Sequence, residues 1–166
     1  MGGHPQYPPA LRLRSGQAPG LRPSALPADI FMNTEGYSEI VMDHFERPRN
    51  SGELADANAI GYMTNPVCGD TLLLMLRVRD GRIEEARWQS DGCAASIAAS
   101  SLLSELVRGR SIEEAAAITR EAVVGALGGL PLSKLHASVL AADALGMAIQ
   151  DWQSREGSRV EGRGSS

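Results

Sequence analysis

Apolar positions between Tyr37 and Trp152 follow two periods, one near two residues in the middle of the chain and one of three to four residues on either side of it. Tyr37, Ile40, Val41 and Phe45 share one face of a short helical segment that Pro48 stops. Thr71 to Val78 reads as a strand, with Leu74, Leu76 and Val78 on one face and Arg77 and Arg79 on the other. Asp80-Gly81 predicts a two-residue hairpin turn, because a type I′ turn needs positive φ at both central positions. The return strand spans about Arg82 to Gln89, and Ile83, out of phase with Ala86 and Trp88, predicts a bulge.

Helical spacing resumes after Gly92. The run from Cys93 to Val107 is rich in Ala, Ser and Leu, with Ala98, Leu102 and Leu106 four residues apart, so a helix begins at or just after Cys93. Ser111 followed by Glu114 is a capping-box pattern for a second short helix, and Thr119 caps a third that the glycines at 125, 128 and 129 end. A last helix starts near Ser133, where Leu135, Val139, Ala142, Leu145, Ile149 and Trp152 recur. Antiparallel strands followed by helices indicate an α+β fold, a small antiparallel sheet packed against several helices.

The ends lack such periods. Residues 1–33 hold most of the chain's nine prolines and read as a disordered or non-native leader, 34–154 as the folded domain, and 155–166 as a disordered tail. With 166 residues and 43% apolar content, one domain with tails can bury a core without disulfides. A net charge of −4 argues against a nucleic-acid-binding surface. No uninterrupted apolar run approaches the roughly 18 residues that span a bilayer, and prolines break up any secretory signal. Two cysteines without an export signal are expected as reduced thiols in a cytoplasmic setting.

Those thiols carry the candidate chemistry. Cys68 and Asp70 flank Gly69 at a strand entry, where thiolate and carboxylate can face one site and suit zinc or iron. Such a tripeptide also occurs as a plain turn with a small buried thiol. Cys93 stands at a helix start, where unpaired N–H groups and the helix dipole favour an anion; a packed structural cysteine is the alternative. His136 falls in the first turn of the last helix, where a merely packed imidazole would also fit. Together Cys68, Asp70, Cys93 and His136 match a tetrahedral metal site in number and type, although spacing alone does not bring them together. His44, beside Phe45, is assigned to structure. Ser96, Ser100, Ser101 and Ser104 lack a nucleophile elbow around them.

The order of the motifs is more specific than any one of them. Tyr37 to Asn50, Asn65-Pro66-Val67-Cys68-Gly69-Asp70, Asp91-Gly92-Cys93-Ala94-Ala95-Ser96 and Leu130-Pro131-Leu132-Ser133-Lys134-Leu135-His136 together resemble the NifU/IscU family of iron–sulfur assembly scaffolds. The resemblance implies that Cys68, Asp70, Cys93 and His136 bind a transient [2Fe–2S] cluster or a zinc ion in a non-enzymatic scaffold. It implies a cysteine desulfurase, recipient iron–sulfur apoproteins and an Hsp70-type chaperone as partners, with a homo-oligomer as an open alternative. The chain departs from the family in two places. Ala137 stands where a third cysteine, the usual persulfide acceptor, follows the histidine, and Leu130 to Lys134 alters the chaperone-recognition stretch Leu-Pro-Pro-Val-Lys. These departures leave a second reading, a zinc-binding relative that docks on or regulates a desulfurase without assembling clusters.

Overall fold

The structure, a computed structural model, describes residues 36–164. The expectation for the leader falls outside them. The chain runs α1 (Glu39–Glu46), β1 (Ala59–Thr64), β2 (Thr71–Arg79), β3 (Arg82–Asp91), α2 (Ala94–Val107), α3 (Ile112–Ala116), α4 (Arg120–Ala126), a 3₁₀ turn (Leu132–Lys134) and α5 (His136–Gly164). The α+β expectation holds: one antiparallel sheet in the order β1-β2-β3 carries helices on one face.

Asp80 and Gly81 both take positive φ, 53° and 73°, and close the β2–β3 hairpin as expected. The bulge is present as well. Arg77 pairs with Glu85 but Val78 pairs with Ile83, so Glu84 is the extra residue, and the shift restores Ile83 to the buried face. On that face Leu72, Leu74, Leu76, Ile83, Ala86 and Trp88 meet α2 and α5 in the main core. Leu73 and Met75 point the other way. They are buried too, because Leu54, Ala57, Ile60 and Tyr62 cover the second face of the sheet.

Strand β1 has no clear period in the sequence, since Ala59 and Gly61 are poor strand formers. Gly61 is there for a close approach: a Cβ on it would lie 2.0 Å from the carbonyl oxygen of Ala144 in α5. At the edge of β1 the Ile60 N–H donates to Asp151 Oδ2 of α5 at 2.9 Å. The outer edge of β3 is taken by irregular backbone. Gly52 N–H donates to Trp88 O at 2.9 Å, Trp88 N–H to Asn50 O at 3.3 Å, and Ile83 N–H to Arg110 O at 2.9 Å.

Two helices depart from expectation. In α1 the Ser38 cap accepts from Val41 N–H and its hydroxyl donates to Leu127 O, which turns Val41 and His44 inward. Ile40, expected on the packed face, is 43% exposed. The second departure is α5, which continues past Arg155 to Gly164, so the segment expected as a disordered tail is helical that far. An i,i+4 ion pair between Asp151 and Arg155 lies where the apolar stripe ends, and no proline follows to stop the helix. The segment Leu132–Ser158 is long and apolar enough to cross a membrane by length and composition. Its Ala137, Leu140, Ala144, Leu145 and Ala148 are buried in the main core, which makes it the core helix of the domain.

Candidate functional site

Three junctions between elements meet at one end of the sheet. The β1–β2 loop supplies Cys68 and Asp70. Its shape comes from Asn65, whose side-chain oxygen accepts the Val67 N–H at 2.9 Å, and from Gly69 at φ 77°. The β3–α2 junction supplies Cys93 as the N-cap of α2, with no side-chain capping bond of its own. The turn into α5 supplies His136, the first residue of that helix.

One ligand atom from each of Cys68, Asp70 and His136 falls within 4.8 Å of the others. Cys93 stands beside this triplet with Sγ 3.8 Å from His136 Nε2, and His136 Nε2 lies 3.4 Å from Asp70 Oδ2. Three of the four residues singled out in the sequence are therefore brought together, and Cys93 adjoins them through His136 and Asp70. They differ in access: Cys68 is exposed, Cys93 and His136 are half-buried, and Asp70 is buried.

Burial pushes the Asp70 carboxyl up, but hydrogen bonds from Ser96, Cys93 and Cys68 outweigh it and hold the group below its usual value. Asp70 is thus an anion that the surrounding donors hold in place. Tyr37 lies near enough to feel the site. Its phenol is pushed above its ordinary value, first by burial and then by negative charge at Cys93 and Asp70.

Two further residues of the Asp91 to Ser96 motif, given no role in the sequence, touch Asp70. Ser96 donates to Asp70 Oδ2 at 2.5 Å and lies 3.5 Å from Cys93 Sγ. A Cβ at Gly92 would come within 2.7 Å of Asp70 Cγ, so the glycine leaves room for the carboxylate. Ser96 closes the Asp91 to Ser96 motif one turn after Cys93, but nothing in the sequence signals its bond to Asp70. His44 is structural, as assigned: it is buried, with Nδ1 2.8 Å from Ser101 Oγ and Nε2 3.5 Å from Glu105 Oε1. Ala137 is 1% exposed and belongs to the main core.

Thiol, carboxylate and imidazole at this spacing could hold a borderline or soft metal, with the Cys93 thiol beside them. The thiols favour iron–sulfur or zinc over magnesium or calcium.

Residues 36–159 match the family described as NifU-like N terminal domain. The chain is 52% identical over 121 residues to the iron-sulfur cluster assembly scaffold protein IscU 1 of Archaeoglobus fulgidus, covering 73% of this chain and 79% of that one. It is 45% identical over 123 residues to the iron-sulfur cluster assembly scaffold protein IscU of Escherichia coli K12, covering 72% and 95%. Among solved structures, a nitrogen-fixing NifU-like protein (N-terminal) from Brucella abortus superposes with a TM-score of 0.63 at 20% identity. That match covers 74% of this chain and 98% of the other, and it bears on the fold alone.

Proposed function

The chain belongs to the NifU-like N-terminal domain family, and from that membership we propose that it is an iron–sulfur cluster assembly scaffold holding its cargo among Cys68, Asp70, Cys93 and His136. The observation that supports this reading most is the convergence of thiol, carboxylate and imidazole within 4.8 Å from junctions far apart in sequence. Cys93 adds the second thiol.

The cargo in this reading is a transient [2Fe–2S] cluster, with zinc as the competing occupant. Carboxylate and imidazole hold a soft cluster less firmly than thiolates do, so two thiolates with one carboxylate and one imidazole give a site suited to release as well as capture. The work is holding and passing on. A cysteine desulfurase would supply sulfur, and apoproteins that need the cluster would receive it. The exposed Cys68 and the neighbouring Val67, 93% exposed, leave the loop open to such proteins.

Anaerobic reconstitution with ferrous iron and sulfide tests the reading. Visible absorption with iron and sulfide bound in equal amounts is expected, with loss of both in Cys68→Ala and Cys93→Ala. Zinc binding without any cluster would instead favour the relative that docks on a desulfurase without assembling clusters.

A further inference from the structure

Asp70 is 6% exposed, and three protein groups converge on the same one of its oxygens. Ser96 Oγ donates to Oδ2 at 2.5 Å, the Cys93 N–H points at it from 3.5 Å, and His136 Nε2 stands 3.4 Å away. Gly92 packs against the carboxylate as well, since a Cβ there would meet Asp70 Cγ at 2.7 Å and Oδ2 at 3.0 Å. The carboxylate is wedged between the β3–α2 junction and the first turn of α2.

Ser96 itself is 1% exposed. A helical serine buried in this way commonly returns its proton to the carbonyl four residues back, and Ser100 does so, donating to Ser96 O at 2.8 Å. Ser96 gives its proton to Asp70 instead. A hydroxyl has one proton, and Cys93 Sγ lies 3.5 Å from the same oxygen, so Ser96 sits between two of the proposed ligands while donating to one.

The geometry points to Ser96 as a positioning residue for the metal site: it pins Asp70 through Oδ2 and leaves Oδ1 for the cargo. This rests on the four-residue metal reading above. Ser96 makes no bond to metal, and its effect passes through Asp70. Partners that orient a ligating carboxylate commonly alter metal affinity about 10- to 100-fold when removed.

Cobalt(II) titration of the full, metal-free chain, followed by visible absorption, is the test. Wild type is expected to bind cobalt with thiolate charge-transfer and d–d bands. Ser96→Ala should weaken binding about 10- to 100-fold and alter the d–d envelope, while circular dichroism stays near wild type, since Ala94 and Ala95 already flank the position in the helix, and the thermal midpoint of the metal-free protein falls only as far as one lost bond to a buried carboxylate accounts for. Asp70→Ala should weaken binding as well, and adding Ser96→Ala to it should change neither affinity nor spectrum further. An equal effect of Ser96→Ala in the wild-type and Asp70→Ala backgrounds overturns the inference, because Ser96 would then act independently of Asp70. So does a Ser96→Ala variant that binds like wild type. Failure of the wild type to bind cobalt removes the metal reading itself, and this inference with it.

Discussion

Gly61 of β1 faces the carbonyl oxygen of Ala144 in α5 across a gap that admits no side chain: a Cβ would lie 2.0 Å from that oxygen and 2.7 Å from Ala148 N. Both obstacles are backbone, so no rotamer change relieves them. Gly61→Ala is expected to lower stability by about 1–3 kcal/mol, the range for overpacked sites. Urea unfolding of the two proteins measures it; an unchanged midpoint would mean that helix and sheet part more easily than their contacts indicate.

Asp151 supports the same contact from the helix side. Its Oδ2 accepts the Ile60 N–H at 2.9 Å and pairs with Arg155 at 3.0 Å. Asp151→Ala leaves that edge N–H without its partner and is expected to cost about 1–3 kcal/mol. Asp151→Asn keeps an accepting oxygen and should cost less. Equal losses in the two variants would place the effect in the charge rather than in the bond to Ile60.

His44 makes stability depend on pH away from the metal site. Burial, then the positive charge of Arg49, lowers its pKa below the ordinary 6.5, while Glu105 and Asp43 act in the opposite sense. Ser101 Oγ accepts the Arg49 N–H at 2.8 Å and has its own proton for His44 Nδ1, which leaves the Nε2 proton facing Glu105. The neutral ring fits this arrangement. Because the folded pKa lies below the unfolded one, the unfolded chain takes up the proton first as pH falls. Stability from His44 is therefore full above about pH 6.5 and is lost below it, down to the folded pKa. Chemical denaturation across this range, comparing wild type with His44→Gln, should show a slope in wild type that the variant lacks. Parallel profiles would assign the slope to another group.

The thiols should differ in reactivity. In metal-free protein, Cys68 is exposed and Cys93 is half-buried against Ser96 and His136. A thiol reagent should label Cys68 first, and zinc should slow the labelling of both. A cysteine placed by Ala137→Cys, at a position 1% exposed, should react last, and only once the start of α5 opens. Labelling of that third thiol as fast as Cys68 would show that the start of α5 opens readily in solution.

Local chemistry was legible wherever the structure answers to local rules. Asp80-Gly81, the Ser111–Glu114 box and the start of α2 after Cys93 each follow from bonds made within a few residues, and each is present. Long-range causes were hidden. β1 depends on Gly61 admitting α5, a reason that lies far along the chain. Ile40 is turned outward by a bond from Ser38 to Leu127. The site divides in the same way: its four side chains were recognisable as metal-binding types, whereas their convergence, and the part taken by Ser96 and Gly92, depend on how the sheet, α2 and α5 dock.

The backbone laid along β3 bears on how other proteins can meet this domain. An open sheet edge is a template on which a second chain can add a strand, in recognition or in aggregation. Here Gly52, Asn50 and Arg110 already occupy hydrogen-bonding positions of β3, and at the opposite edge a carboxylate from α5 is fixed to Ile60. Strand addition at either place would first have to displace native bonds. Encounters with this protein are thereby directed to side chains and loops, and the loop that carries Val67 and Cys68 is among the most exposed of these.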